Sequence, residues 1–408
     1  MESGVVIVGA GQAGLQAGLS LREGGYSAPI TLIGDEAHAP YQRPPLSKTY
    51  LASDVAPDTL FIKPRAALAS RDITLRDGTR VTAIDRDART VTLSCGDVLA
   101  FTSLILATGT RNRLLPLPGA EAKGVHALRG VDDAQALREA LGAARRVAII
   151  GGGFIGLEIA ASLRKRAIAV SLFEAGDRLC ARACLPQTSE QLFMHQRNIG
   201  TDVNIGAQIA RIETEAGRAV GIALQDGPIV PADLVLVCIG VVPNTELAEA
   251  VELPCDNGVA VDAHLRTADP DIYAIGDCAS FPCPDHGRRV RLESVPNATA
   301  QGRYVAGSLL GQDAPFRAFP WFWSDQGDLK LQMAGVSDPQ GSVDRVATAN
   351  GQVIFNFSAG RLCAVECINA PAEFVTARKL VSTGAAPTRE ALIEADWNLR
   401  ALAKVKAA

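Results

Sequence analysis

Two six-residue segments, Gly9-Ala10-Gly11-Gln12-Ala13-Gly14 and Gly151-Gly152-Gly153-Phe154-Ile155-Gly156, place three glycines at the same spacing. Each is followed by an acid, Asp35 and Glu174, about 20 residues further on. In such a segment the first glycine permits a tight turn, the second lets backbone approach a pyrophosphate, and the third lets a helix pack on a strand. The N-terminus of that helix then faces the anion, and the acid can accept a hydrogen bond from a ribose 2′-OH. One fingerprint is weak evidence for a dinucleotide site. Two complete ones imply two dinucleotides held together, and the economical pair is a flavin dinucleotide with a nicotinamide dinucleotide. A duplicated domain with one degenerate copy is the competing reading, but both copies keep all three glycines and the acid.

The elements needed to position these groups are present. "GVVIV" reads as a buried strand running into the first glycine loop, "LQAGLSLREGGY" as the helix after it, and "PITLIGDE" as the next strand, ending at Asp35. The order recurs as "RRVAIIG", "LEIAASLRKRA" and "IAVSLFE", ending at Glu174. Further apolar strands end in glycine: "TSLILATGT" at Ala107-Thr108-Gly109, "ADLVLVCIGVVPN" at Gly240 and "PDIYAIGDCA" at Gly276. The first follows one fingerprint as the second follows the other, so the chain is a repeat in organisation. In the third, Gly276 allows close backbone approach and Asp277 is placed to bind a polyol such as a flavin's ribityl chain; an ordinary strand-to-turn Gly-Asp reads equally well.

Composition narrows the class. A chain of 408 residues exceeds a single core, and 48% hydrophobic with 21% charged residues describes an ordinary globular protein. A net charge of −4 argues against nucleic acid or an anionic membrane as partner. The opening "MESGVVIVGAG" has neither a basic n-region nor an apolar run long enough to span a bilayer, which points to a cytoplasmic protein. Among nine cysteines, Cys95, Cys238, Cys255 and Cys363 lie within or beside apolar runs and read as packed thiols. The pairs Cys180/Cys184, Cys278/Cys283 and Cys363/Cys367 are wider than CxxC, and an odd total does not suggest a disulfide framework. Five scattered histidines offer no metal spacing, so no protein-bound metal is expected.

The double fingerprint, the ATG and GD segments, "RPPLSK" and "WFWSDQG" together resemble the flavoprotein disulfide reductase superfamily. Within it the chain is similar to the FAD-dependent ferredoxin reductases that serve Rieske-type oxygenases and bacterial haem monooxygenases, from Val5 to about Leu380. The resemblance implies an α/β protein with two Rossmann-like, glutathione-reductase-like dinucleotide domains and a C-terminal α+β interface domain. Its boundaries would be 1–115 with 242–318 for FAD, 116–241 for NAD, and 319–408 for the interface domain. FAD would then lie on Gly9, Gly11, Ala13 and Gly14, with Asp35 on its ribose, Arg129 at its phosphates and Asp277 on its ribityl chain. Arg43, Val81, Ala107, Thr108, Gly109 and Gly276 would line the same site, and Val295 would offer backbone to the pyrimidine. NADH would lie on Gly151, Gly153, Gly156, Glu158, Glu174 and Gly240. Lys48 would lie near the flavin N5 and pair with Glu158; Trp321 and Trp323 would face flavin and nicotinamide, Trp323 on the electron path, although core packing also explains such a triplet. Where relatives often carry a proline soon after ATG, this chain has "TRNRLL".

Disulfide reductases of this superfamily carry a redox cysteine pair beside the flavin, where this chain has "QRPPLSKTYL". Without a thiol there, electrons cannot leave through a dithiol and the flavin must pass them on itself. Hydride brings two electrons from NADH, and a flavin can release them singly, which suits a two-iron two-sulfur ferredoxin feeding an oxygenase. Rubredoxin reductase, NADH oxidase and a redox-sensing protein like the apoptosis-inducing flavoproteins are the alternatives. Pro296 or Asn297 should open a helix whose N-terminus favours negative charge, and Arg65, Arg288, Arg289, Arg291, Arg303 and Lys330 are candidate steering charges for an acidic partner. From about Phe319, "LKLQMAGV", "QVIFNFS" and "RLCAVECI" read as strands, followed by a helix around "PAEFVTARKL".

Overall fold

A computed structural model describes residues 3–53, 55–283, 287–317 and 319–405. The chain forms two compact units, one of residues 1–42, 56–111 and 241–320, the other of 43–55, 112–240 and 321–408.

In the first unit, four parallel strands, Ile73–Arg76, Ile30–Ile33, Gly4–Val8 and Val98–Leu106, lie side by side, with Ile272–Ala274 added beyond the last. All five residues of Gly4–Val8 are buried, as expected of a strand covered on both faces. The helix Gln12–Glu23 packs on it and the helix Val295–Leu309 packs against that helix, with Gly302 so close to the Ala13 carbonyl that any larger residue would collide. The Val295–Leu309 helix starts a residue or two earlier than expected, because the Ser294 hydroxyl accepts the Asn297 N–H at 3.2 Å and caps it.

The second unit repeats the theme with parallel strands ordered Asp202–Ile205, Ala169–Glu174, Arg146–Ile150, Leu234–Val237 and Val125–Ala127. A three-stranded antiparallel sheet, Ile209–Glu215, Arg218–Leu224 and Ile229–Pro231, accompanies it and was not anticipated. The C-terminal block is a five-stranded antiparallel sheet in the order Trp321–Gln326, Leu329–Gly335, Arg361–Ile368, Gln352–Ser358 and Ser342–Ala347. Sequence patterning finds only the three inner strands. The outer two escape it because Trp-Phe-Trp lacks polar alternation and "SVDRVA" is half-exposed. The helix Pro371–Ser382 buries Phe374, Ala377 and Leu380 along one side.

Candidate active site

Gly9 and Gly151 adopt φ of +115° and +111°, and a Cβ on either would strike the carbonyl of the neighbouring strand's end, Ala107 and Cys238 respectively. Gly14 and Gly156 press on the Gly9 and Gly151 carbonyls in the same way. Gly11 and Gly153 differ: a Cβ there would meet nothing within 4 Å. Since the protein's own packing does not require those two glycines, the open space in front of them fits a pyrophosphate in each unit.

In the first unit a second corner supports the fit. Gly276 opens a 3₁₀ turn, Gly276–Cys278, with φ +76° and Ala13 Cβ 2.9 Å from where its own Cβ would stand. Its N–H is held by Gln301 Oε1 at 2.6 Å, and Arg291 Nη1 donates to the Asp277 carbonyl at 3.1 Å. Gln301 Nε2, Arg291 Nε and Asn297 Oδ1 are buried there without protein partners. A buried polar atom left unpaired costs about 1–3 kcal/mol, so three in one corner fit a ligand rich in hydroxyl and carbonyl groups, as the ribityl chain and pyrimidine of FAD are. Thr108 and Asn244 exchange bonds, Thr108 Oγ1 to the Asn244 carbonyl at 2.7 Å and Asn244 Nδ2 to the Thr108 carbonyl at 2.8 Å, fixing the turn at Gly109. Asp35 stands exposed just past its strand, 3.2 Å from Arg80 Nη2; Val81 is buried at the start of the strand Val81–Asp85. Val295 is the first helical residue after the Ser294 cap.

In the second unit Glu174 behaves otherwise than Asp35. Its carboxylate accepts the N–H of Gly152 at 2.7 Å and of Gly176 at 2.7 Å. Arg178, a potential partner for a 2′-phosphate, is committed to the Cys184 carbonyl at 2.8 Å, Ser189 Oγ at 2.7 Å and the Ala181 carbonyl at 2.8 Å. Arg182 lies over Gly240, its Nη2 3.0 Å from where a Cβ would stand. The Arg129 carbonyl accepts Arg43 Nη1 at 2.7 Å, and the Arg129 N–H is held by Asp133 at 2.8 Å.

The lysine and glutamate singled out from sequence meet: Lys48 Nζ lies 2.9 Å from Glu158 Oε1. Lys48 lies between a 3₁₀ turn, Pro44–Ser47, where two successive prolines fix φ and remove two N–H donors, and the short helix Thr49–Ala52. Its ammonium also reaches the Pro44 carbonyl at 3.3 Å. Two further residues on Glu158 carry no sequence signal: Ser47 Oγ donates to Oε2 at 2.5 Å and Ser324 Oγ to Oε1 at 2.7 Å.

The aromatic triplet divides by strand alternation. Phe322 stacks on Phe154, ring centroids 4.7 Å apart, at the start of the second fingerprint helix, Phe154–Lys165. Trp321 and Trp323 lie together with centroids 5.6 Å apart, and the Arg378 guanidinium sits 4.8 Å over the Trp321 ring.

Several expected surface charges are already engaged. Arg65 pairs with Asp77 and Lys330 with Asp325, while Arg289 is tied to the Val261 and Ser280 carbonyls and Arg291 has only 10% of its side chain exposed. The reason is local: each sits where loop carbonyls or a carboxylate lie within reach. Cys95 is exposed in a turn rather than packed; no disulfide joins any of the nine cysteines. Cys278 is fully enclosed, and burial pushes its thiol up. Among the described residues no group of three or more His, Cys, Asp or Glu could hold a metal; His286 lies outside them.

The model for the pyridine nucleotide-disulphide oxidoreductase family matches residues 3–302, and that for the reductase C-terminal domain matches 321–403. The chain belongs to this family, and within it to the FAD-dependent ferredoxin and rubredoxin reductases. Rhodocoxin reductase of Rhodococcus erythropolis is 44% identical over 402 residues, covering 97% of this chain and 93% of that protein. The anthranilate 1,2-dioxygenase system ferredoxin–NAD(+) reductase component of Burkholderia cepacia is 40% identical, covering 97% and 98%. The crystal structure of the ferredoxin reductase for the CYP199A2 system of Rhodopseudomonas palustris superposes with a TM-score of 0.95 at 39% identity, covering 98% and 100%. The chain is therefore an oxidoreductase that binds FAD and NAD(H).

Proposed function

We propose that the protein takes hydride from NADH onto FAD and delivers the electrons singly to a two-iron two-sulfur ferredoxin that feeds an oxygenase. The observation that carries this is the Lys48–Glu158 pair at 2.9 Å, its lysine on a segment, Arg43–Val55, that contains no cysteine. FAD supplies the conversion between two-electron and one-electron transfer. The chain supplies position and charge. Gly11 and Gly153 leave room for the two pyrophosphates; Gly9, Ala13, Gly14, Asp35, Arg43, Val81, Ala107, Thr108, Gly109, Arg129, Gly276, Asp277 and Val295 are assigned to FAD. Gly151, Gly156, Glu174 and Gly240 are assigned to NADH, Lys48 and Glu158 to the hydride-transfer locus, and Trp321 and Trp323 to the flavin and nicotinamide face. The ammonium of Lys48 would stand beside the flavin N5, and the Glu158 carboxylate holds that ammonium in place.

We keep residues 1–115 with 242–318 as the FAD domain, 116–241 as the NAD domain and 319–408 as the interface domain; the gap between the two family models, 302 to 321, supports the last boundary. We place the protein in the cytoplasm, where nine cysteines outside any disulfide suit a reducing compartment. Among the described residues no helix is long and apolar enough to cross a membrane.

Anaerobic mixing with NADH should bleach the flavin, and the reduced protein should then reduce a [2Fe–2S] ferredoxin within turnover time. Rapid transfer to rubredoxin or oxygen instead, with ferredoxin inert, would replace the proposed acceptor.

A further inference from the structure

Glu158 is 4% exposed, on the second fingerprint helix, and it accepts from three donors. Lys48 Nζ and Ser324 Oγ share Oε1, and Ser47 Oγ takes Oε2. An ionised carboxylate in such a place needs its lone pairs filled, because a buried charge without hydrogen bonds is among the costliest features a fold can hold. Lysine alone, a flexible chain with a point charge, would not fix which way the carboxylate faces. The two hydroxyls do.

The placement of Ser324 follows from matched periods. Alternate residues of a strand lie about 6.8 Å apart on one face, and residues i and i+4 of a helix about 6 Å. The strand Trp321–Gln326 thus meets the helix Phe154–Lys165 at successive contacts: Phe322 on Phe154, then Ser324 on Glu158. Gln326 continues the series on the neighbouring helix Pro186–Asn198, where its Oε1 accepts Gln196 Nε2 at 3.0 Å and its carbonyl bonds His195 Nε2 at 2.8 Å. Ser324 and Gln326 are both 0% exposed, so the strand has no freedom to slide. Ser47 is held from the other side: Ser162, one turn beyond Glu158, donates to the Ser47 carbonyl at 3.0 Å.

We propose that Ser324 and Ser47 are positioning residues for hydride transfer, orienting the Glu158 carboxylate and through it the Lys48 ammonium. The C-terminal strand that carries Trp323 thereby also sets the geometry of the hydride-transfer locus, through the adjacent residue. The inference rests on the assignment of Lys48 and Glu158 above.

Stopped-flow reduction by saturating NADH tests it. Ser324→Ala should lower the limiting rate of flavin reduction by about tenfold, since a hydrogen bond to a charged group and the geometry it fixes are worth that much or more. NADH affinity should stay within about twofold, because the serine touches no assigned dinucleotide contact other than Glu158. Ser324→Thr, which keeps the hydroxyl, should recover most of the rate, and Ser47→Ala should repeat the loss. Delivery of electrons to ferredoxin from dithionite-reduced Ser324→Ala should match the wild type. With FAD kept saturating, melting temperatures of Ser324→Ala, Lys48→Met and the double variant should be non-additive, since both donors share one oxygen. Wild-type reduction rates in both serine-to-alanine variants, or additive melting shifts, would overturn the inference. If Lys48→Met and Glu158→Gln also left reduction unchanged, the failure would lie in the underlying assignment instead.

Discussion

The Glu174 carboxylate accepts the Gly152 N–H at 2.7 Å, so the acid that closes the second fingerprint is fastened to its glycine loop and is not a free surface charge. With Gly176 donating to the other oxygen, the side chain cannot swing away to admit a 2′-phosphate, and its charge would repel one. Of the two arginines that could neutralise a phosphate, Arg178 has its guanidinium spent on Cys184, Ala181 and Ser189, and Arg182 lies over Gly240. NADH should therefore be preferred over NADPH by at least tenfold in kcat/KM, on the order of one lost charge-compensating contact. Glu174→Ala should narrow that ratio. Equal kcat/KM for the two nucleotides in the wild type would contradict the assignment.

Asp277→Ala should give a folded protein that loses FAD. The carboxylate stands in the turn whose neighbours Arg291, Asn297 and Gln301 hold buried, unpartnered polar atoms, and removing it would leave a ribityl hydroxyl unpaired at roughly 1–3 kcal/mol, a fivefold to hundredfold weaker site. The measurement is visible absorbance per protein after gel filtration, with far-UV circular dichroism unchanged. Full flavin occupancy would make Asp277 a turn residue only.

The legible part of this molecule is the part encoded within a few residues. The fingerprint at Gly9–Gly14 needs a strand, three glycines and a helix in immediate succession, and each is a local property of the chain. The meeting of Lys48 with Glu158 was reachable only because "RPPLSK" is a segment of a known family; nothing in its composition points to a partner 110 residues away. Ser47 and Ser324 were missed for that reason, since a buried serine carries no periodic signature and their bonds to Glu158 span 111 and 166 positions. The same holds for the steering charges. Arg289 and Arg291 look free in "GRRVRLE", and only the fold shows the carbonyls that enclose them.

Glu366 gives the protein a carboxyl whose titration is readable in stability. It is 1% exposed in the strand Arg361–Ile368 and receives the Leu185 N–H at 3.0 Å, at the start of the helix Pro186–Asn198. Burial raises its pKa above the ordinary carboxyl value, with the Leu185 N–H and Arg178 pulling the other way. A raised folded pKa favours the protonated form in the fold, so this contribution is fully present below the unfolded value and is lost as pH rises through the folded one. Glu366→Gln, neutral throughout, should gain in melting temperature relative to the wild type as pH is raised from about 4 to 8, with FAD kept saturating. A difference that stays constant across that range would show that burial does not govern this group.

Trp323 is the residue proposed for the electron exit. It shares a face with Trp321 on an outer strand, while its neighbours Phe322 and Ser324 turn toward the second fingerprint helix; its indole lies 6.4 Å from the Phe322 ring, centroid to centroid. If the indole lies in the ferredoxin contact or on the electron path, Trp323→Ala should slow ferredoxin reduction at least tenfold while leaving NADH-to-ferricyanide turnover within about twofold, because the small dye reaches the flavin without docking. Equal losses in both assays would place Trp323 in flavin packing. Electrostatic guidance should rest on few charges, since Arg65, Arg289, Arg291 and Lys330 are already engaged; Arg288 and Arg303 are the remaining candidates from that set. Raising ionic strength should accordingly lower the ferredoxin rate, and Arg288→Glu with Arg303→Glu should remove most of that salt dependence, as screening acts on whichever charges steer the encounter. A salt dependence untouched by the double variant would assign the steering to other residues.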